Sequence, residues 1–184
     1  MPLYESFRRR AFDAKFVAKS FLDYRDGVRF FEDLDARDPS PYNHQQLSLY
    51  LAAKKRYKDA CSAADEAVSL SRGRIISIRN TRAQIFFDAN IGLTHEPHVR
   101  DTLKDSLGVL ENCRQLDKRK AFHALTYAAK ACQYWDAYSD DDARLRLKKG
   151  EEWLMEELDN PLTKREAAKS LVEVRARISS DGGA

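Results

Sequence analysis

The sequence predicts an all-α protein built from antiparallel helix pairs. Three observations carry this. Apolar residues recur at spacings of three and four along most of the chain. No segment alternates with the period of two that a half-buried strand requires. Only 7 glycines and 5 prolines interrupt 184 residues, too few for a sandwich, a barrel or a glycine-rich phosphate loop. Alanine, the strongest helix former, fills much of the remainder.

The elements follow in order. From Leu3 to about Leu34, the residues Phe7, Ala11, Ala14, Ala18 and Phe21 form one helical stripe, which Phe12 and Phe16 widen. Gly27 predicts a break, after which Val28, Phe30, Phe31 and Leu34 form a short helix. Asp38-Pro39-Ser40-Pro41 reads as a loop, because each proline disfavours helix in the residue before it. Helices are expected next from Tyr42 to Lys55, with Leu47, Tyr50 and Leu51 inward, and from Tyr57 to Leu70, closed by glycine in Ser71-Arg72-Gly73. The stretch from Ile75 to Asn90 carries Ile75, Ile78, Ile85 and Phe86 as its apolar members.

Pro97 sits where the first turn of a further helix tolerates a missing amide proton, and Val99, Leu103, Leu107, Leu110 and Cys113 form its stripe. The next helix, Lys118 to Tyr138, places Ala121, Leu125, Ala128, Cys132 and Trp135 on one face. Ser139 is expected to cap its successor, with Asp140, Asp141 and Asp142 in the first turn facing the positive end of the helix dipole, and Leu145, Leu147, Trp153, Leu154 and Leu158 apolar. Asn160-Pro161 ends that helix, and Thr163 with Glu166 three residues on predicts a capping box for the last one. The organisation expected is one helical domain over residues 1–178 and a flexible tail over 179–184. Short loops make sequential helices antiparallel neighbours, so the architecture is either an α-solenoid of stacked pairs or an irregular helical bundle.

The run from Leu47 to Leu70 resembles a tetratricopeptide repeat. Tyr57 opens the turn between two helices, and Ala60, Ala64 and Ala67 follow at three, seven and ten positions, the small-residue spacing that lets a following helix nest closely. Ser48, Ala64 and Arg72 depart from the family's usual glycine, aromatic and proline. Ala143 and Leu147 look like part of a degenerate second unit, although the distance from Ala60 to Ala143 is no multiple of the roughly 34-residue period. The segment from Tyr42-Asn43-His44-Gln45-Gln46 to Asn90 is also similar to the helical arms of large signalling ATPases and bacterial defence proteins. Without a Walker motif, any nucleotide chemistry would then reside on another segment or subunit. The resemblance implies a protein–protein interaction scaffold with a peptide or partner domain in a helical-repeat groove. Such repeats clamp carboxylates with basic and amide side chains of their first helices, which points to Gln45, Arg79 and Arg82. Ordinary solvated arginines are the competing reading.

Composition narrows the function classes. A net charge of +3 within a charged fraction of 33% gives a mixed-sign surface, which argues against nucleic acid as the partner. A nucleic-acid-associated protein is kept as the alternative on the strength of Arg8 to Arg10, Lys54 to Lys58 and Arg72 to Arg82. Cys61, Cys113 and Cys132 are odd in number and far apart, as expected of reduced thiols in a cytoplasmic protein. No apolar run approaches the roughly 18 residues of a membrane helix, so no membrane is expected.

Chemical motifs are sparse. His95-Glu96-Pro97-His98 falls in a turn, where two imidazoles need not converge on a metal. The acids at 140–142 are explained by a helix start, and Glu151-Glu152 and Glu156-Glu157 read as an exposed helix face. The expectation is therefore no enzyme, cofactor or metal. One more surface stands out. His123, Tyr127, Lys130 and Tyr134 form a polar-aromatic stripe away from Leu125, Cys132 and Trp135, and either bind a partner or pack beneath the following helix. Oligomeric state is left open by the sequence.

Overall fold

The computed structural model describes residues 24–117 and 122–180; the stripe expected from Phe7 to Phe21, the expected helix start at residues 118–121 and residues 181–184 of the expected tail lie outside them, and Ser179 and Ser180 of that tail end the last helix. Among the described residues there are eight α-helices and no strand. These are α1 (Tyr24–Arg37), α2 (Pro41–Ala53), α3 (Tyr57–Leu70), α4 (Ile76–Asn90), α5 (Val99–Leu116), α6 (Phe122–Tyr138), α7 (Asp141–Glu156) and α8 (Lys164–Ser180). Short 3-10 turns at Ile91–Leu93 and Glu157–Asp159 complete them. The chain divides into two compact units, Met1–Ala89 and Asn90–Ala184.

In the first unit, Ser40 caps α2 by accepting a hydrogen bond from the Asn43 amide at 3.1 Å, and Pro41 occupies the first helical position. The α2–α3 pair packs through alanines. Ala60, Ala63 and Ala64 lie in one cluster with Phe31, Leu47, Tyr50, Leu51 and Ile85. Ala67 joins Tyr42, Ile75 and Ile78 in a second. At the end of α3 the backbone turns through positive φ at Arg72 (50°) and Gly73 (65°), and the Gly73 amide closes the turn on the Val68 carbonyl at 2.9 Å.

The expected break at Gly27 does not occur, because α1 runs through it from Tyr24. A Cβ there would lie 2.5 Å from Tyr50 Cε1, so the glycine serves close approach of α1 to α2 rather than a kink.

In the second unit α6 is central, packing against α5, α7 and α8. The predicted α5 stripe, Val99, Leu103, Leu107, Leu110 and Cys113, is completely buried. Gly150 lets α7 approach α6 so closely that a Cβ would come within 3.3 Å of the Ala128 Cα. Three local expectations are corrected. Ser139 does not cap α7; it takes a φ of 49° and its hydroxyl donates to the Trp135 carbonyl, leaving Asp140 to accept from the Ala143 amide at 3.0 Å. Glu157 is buried rather than exposed, in the 3-10 turn after α7. Leu145 points to solvent on the outer side of α7.

Candidate partner-binding faces

In the first unit a side chain bridges helices two apart in sequence. Gln45 on α2 donates from Nε2 to the Thr81 hydroxyl at 2.8 Å and to the Ser77 carbonyl at 3.1 Å, both on α4. The amide is therefore spent inside the unit, and Gln45 is itself buried. Arg82 stands further along α4 and half-exposed. Its Nε contacts Asp65 of α3 at 2.5 Å, and its guanidinium lies 4.2 Å from the centre of the Phe86 ring. Arg79 is half-buried one turn before it. The three residues expected on one face do not share one: Gln45 meets the Ser77 and Thr81 side of α4, whereas Arg82 turns to Asp65 of α3.

The stripe on α6 is placed differently. His123, Tyr127 and Tyr134 are completely buried, and only Lys130 is partly accessible. Tyr127 packs 4.7 Å from the Trp153 ring of α7, and burial pushes its hydroxyl well above the ordinary tyrosine range. Tyr134 is the centre of a polar cluster. Arg100 of α5 donates to its hydroxyl at 3.2 Å, and that hydroxyl donates to Asp142 of α7 at 3.1 Å. Burial leads in raising the Tyr134 hydroxyl to about 12, so its proton stays in place to make this bond.

Around Tyr134, α5 and α7 are laced together. Arg100 pairs with Asp140, Lys104 approaches Asp142 at 3.6 Å, and Arg146 donates to Asp142 at 3.3 Å. Burial alone would raise the Asp142 carboxyl. Arg146, Tyr134 and Lys104 outweigh it and hold the group below its ordinary value. Further along, Lys149 meets Glu111 at 2.6 Å, and buried Arg114 meets both Glu156 and Glu157 at 2.9 Å. Glu157 also accepts from Asn160 Nδ2 at 3.2 Å and from the Thr163 hydroxyl at 3.4 Å, so Thr163 turns inward to Glu157.

Compared with known protein families, curated proteins and solved structures, the chain gives no match in any of the three. The chemical reading therefore rests on the faces themselves. Among the described residues no group of three or more His, Cys, Asp or Glu side chains is placed to hold a metal ion. His98 and Glu96 meet at 3.4 Å in an exposed turn. No described helix is long and apolar enough to cross a membrane. Cys113 and Cys132 are buried and Cys61 is half-buried, all three as free thiols, and burial pushes the Cys132 thiol up to about 11.

Three features escaped the sequence reading. Arg114 gave no signal, because an arginine at the end of an amphipathic helix is ordinarily solvated. Arg146 and Asp142 are an i,i+4 pair, but the arrival of Arg100 and Lys104 from about 40 positions away is something no local spacing reveals. An open groove of about 630 Å³ lined by Val28, Arg29, Glu32 and Asp33 of α1 with Lys54 and Arg56 was also unforeseen. Its mixed charges select no ligand class.

Proposed function

We propose that the protein is a non-enzymatic interaction scaffold whose stacked helix pairs, in the manner of a tetratricopeptide-like solenoid, present faces to a protein or peptide partner. One observation carries the reading: side chains bridge alternate helices within each unit. Gln45 ties α2 to α4, and the Arg100 to Glu157 ladder ties α5 to α7. Antiparallel pairs stacked so that every second helix lines one side generate an extended face from short elements. In the first unit α4 also carries Arg79 and Arg82, two cations one turn apart, which suit a carboxylate-bearing segment of the partner in competition with Asp65 of α3.

The test is affinity capture with the full chain carrying a photo-reactive residue beside Arg79, set against the same protein with Arg79→Glu and Arg82→Glu. A discrete partner retained by the parent and lost from the variant, with unchanged helical circular dichroism, supports the reading. Equal capture by both, or no protein captured by either, overturns it.

A further inference from the structure

The last helix is fastened along both flanks. On one side Arg175 reaches α7, its Nε 2.7 Å from Glu151. On the other Arg177 grips Asp136 of α6 with two bonds of 2.8 Å. Between them the inward stripe Ala167, Leu171 and Val174 is buried. Helical spacing then puts Arg165, Lys169, Val172 and Ala176 on the opposite, outermost ridge, and all four are exposed. Val172 is 69% exposed, and Leu162, just before the helix, is 88% exposed.

The charges on this ridge are unspent. Lys164, Arg165 and Lys169 make no ion pair among the described residues. Lys164 and Arg165 stand in the first turn, where the helix dipole is itself positive, so the helix does nothing to neutralise them. Of the acids of α8, Glu166 stands three residues before Lys169 and Glu173 four after it, on the side of the ridge toward Arg177. With Lys164, Arg165 and Lys169 against Glu166, the start of the helix keeps a cationic excess, and the ridge beyond it is Val172 and Ala176.

We propose that the ridge Arg165, Lys169, Val172 and Ala176 of α8 is a docking surface for an acidic amphipathic helix of a partner protein. Acids at i and i+4 on that helix face Arg165 and Lys169, and an apolar side chain one turn further on covers Val172. A second copy of the chain fits poorly. Two-fold antiparallel pairing would set Lys169 against Val172 and Arg165 against Ala176, burying cations on apolar surface. An anionic membrane also fits poorly, since a helix that lies in a bilayer surface needs a wide apolar face and this one offers Val172 and Ala176. The proposal relies on the scaffold reading only for the existence of a protein partner. It involves a different unit and different residues.

The probe is a fluorescein-labelled synthetic helical peptide with glutamates at i and i+4 and leucines at i+7 and i+11, titrated by anisotropy against the full chain. Saturable binding is expected. It weakens about tenfold or more in Arg165→Glu/Lys169→Glu, weakens in Val172→Asp, falls as salt is raised, and is unaffected by Arg79→Glu/Arg82→Glu. Arg165→Gln/Lys169→Gln, which removes charge without reversing it, gives an intermediate loss, and matching circular dichroism verifies each fold. Absence of binding, equal binding of a lysine-substituted peptide, or equal binding to Arg165→Glu/Lys169→Glu overturns the proposal. So does ridge-dependent binding to phosphatidylserine vesicles in place of the peptide, or ridge-dependent dimerisation in sedimentation. Loss of the Arg79/Arg82 interaction with retention of the peptide would overturn the face on α4 and leave this one standing.

Discussion

Gly27 and Gly108 both lie inside continuous helices, yet a methyl group added to each meets different surroundings. At Gly27 it meets the Tyr50 ring at 2.5 Å, and that ring is held against Phe31 with centroids 5.4 Å apart. Overpacking of this kind costs roughly 1–3 kcal/mol. The gain in helix propensity is about 1 kcal/mol, so Gly27→Ala is expected to lower stability. At Gly108 nothing lies within 4 Å, so Gly108→Ala keeps the propensity gain and raises stability by about 0.5–1 kcal/mol. Urea midpoints should therefore move in opposite directions for the same substitution. Arg114 is the other residue on which stability turns. Its side chain is 5% exposed and its partner Glu157 is 6% exposed. Arg114→Met leaves a buried carboxylate unpaired and should cost about 3–5 kcal/mol, whereas Arg114→Met with Glu157→Leu should recover most of it. A double-mutant cycle by urea denaturation measures the difference, and additive losses would contradict the pairing.

The α5–α7 ladder makes a prediction about pH. Asp142 has a folded-state pKa below its unfolded value, so its contribution is fully present above the ordinary carboxylate range and disappears as pH falls through the lowered value. Asp142→Asn should thus be destabilising at neutral pH, with parent and variant converging only in strong acid. Thermal melts across an acid series check this, and curves that stayed parallel down to strong acid would contradict it. At this scale the sequence was informative about which segments are helical and which way each faces. The α5 stripe and Ala60, Ala64 and Ala67 are buried as their spacing requires. Periodicity could not distinguish a solvated polar-aromatic stripe from one covered by a neighbour, so the burial of Tyr127 and Tyr134 beneath α7 became visible only with the tertiary packing. Nor could it show that Gly27 is shaped by a ring more than twenty residues away, or that Asp140 takes the capping role because Ser139 is committed to positive φ.

Over the whole molecule the two units differ in how polar their interiors are. The first buries Asn43, Gln45, Gln46, Ser48, Asn80 and Thr81. Within it Gln46 Oε1 and Asn80 Nδ2 find no partner among the described residues, and a buried polar atom of this kind costs roughly 1–3 kcal/mol. The second unit has buried atoms of this kind too, the Tyr127 and Tyr138 hydroxyls, but it buries fewer polar side chains and closes around fully buried Leu103, Leu107, Leu110, Leu147 and Leu154, with its buried arginine paired. The first unit should therefore unfold at lower denaturant than the second. Both tryptophans, Trp135 and Trp153, lie in the second unit, whereas helical circular dichroism samples both. In a urea titration the circular dichroism signal should begin to fall before tryptophan fluorescence changes, a departure from the coincident transitions of a two-state domain. Two tests locate the cause. Gln46→Leu, which removes an unsatisfied oxygen, should draw the early phase toward the fluorescence transition without moving the latter, and Arg114→Met should pull the fluorescence transition down alone. Superimposable transitions in the parent protein would mean that the units unfold as one and that the polar interior of the first is not its weak point.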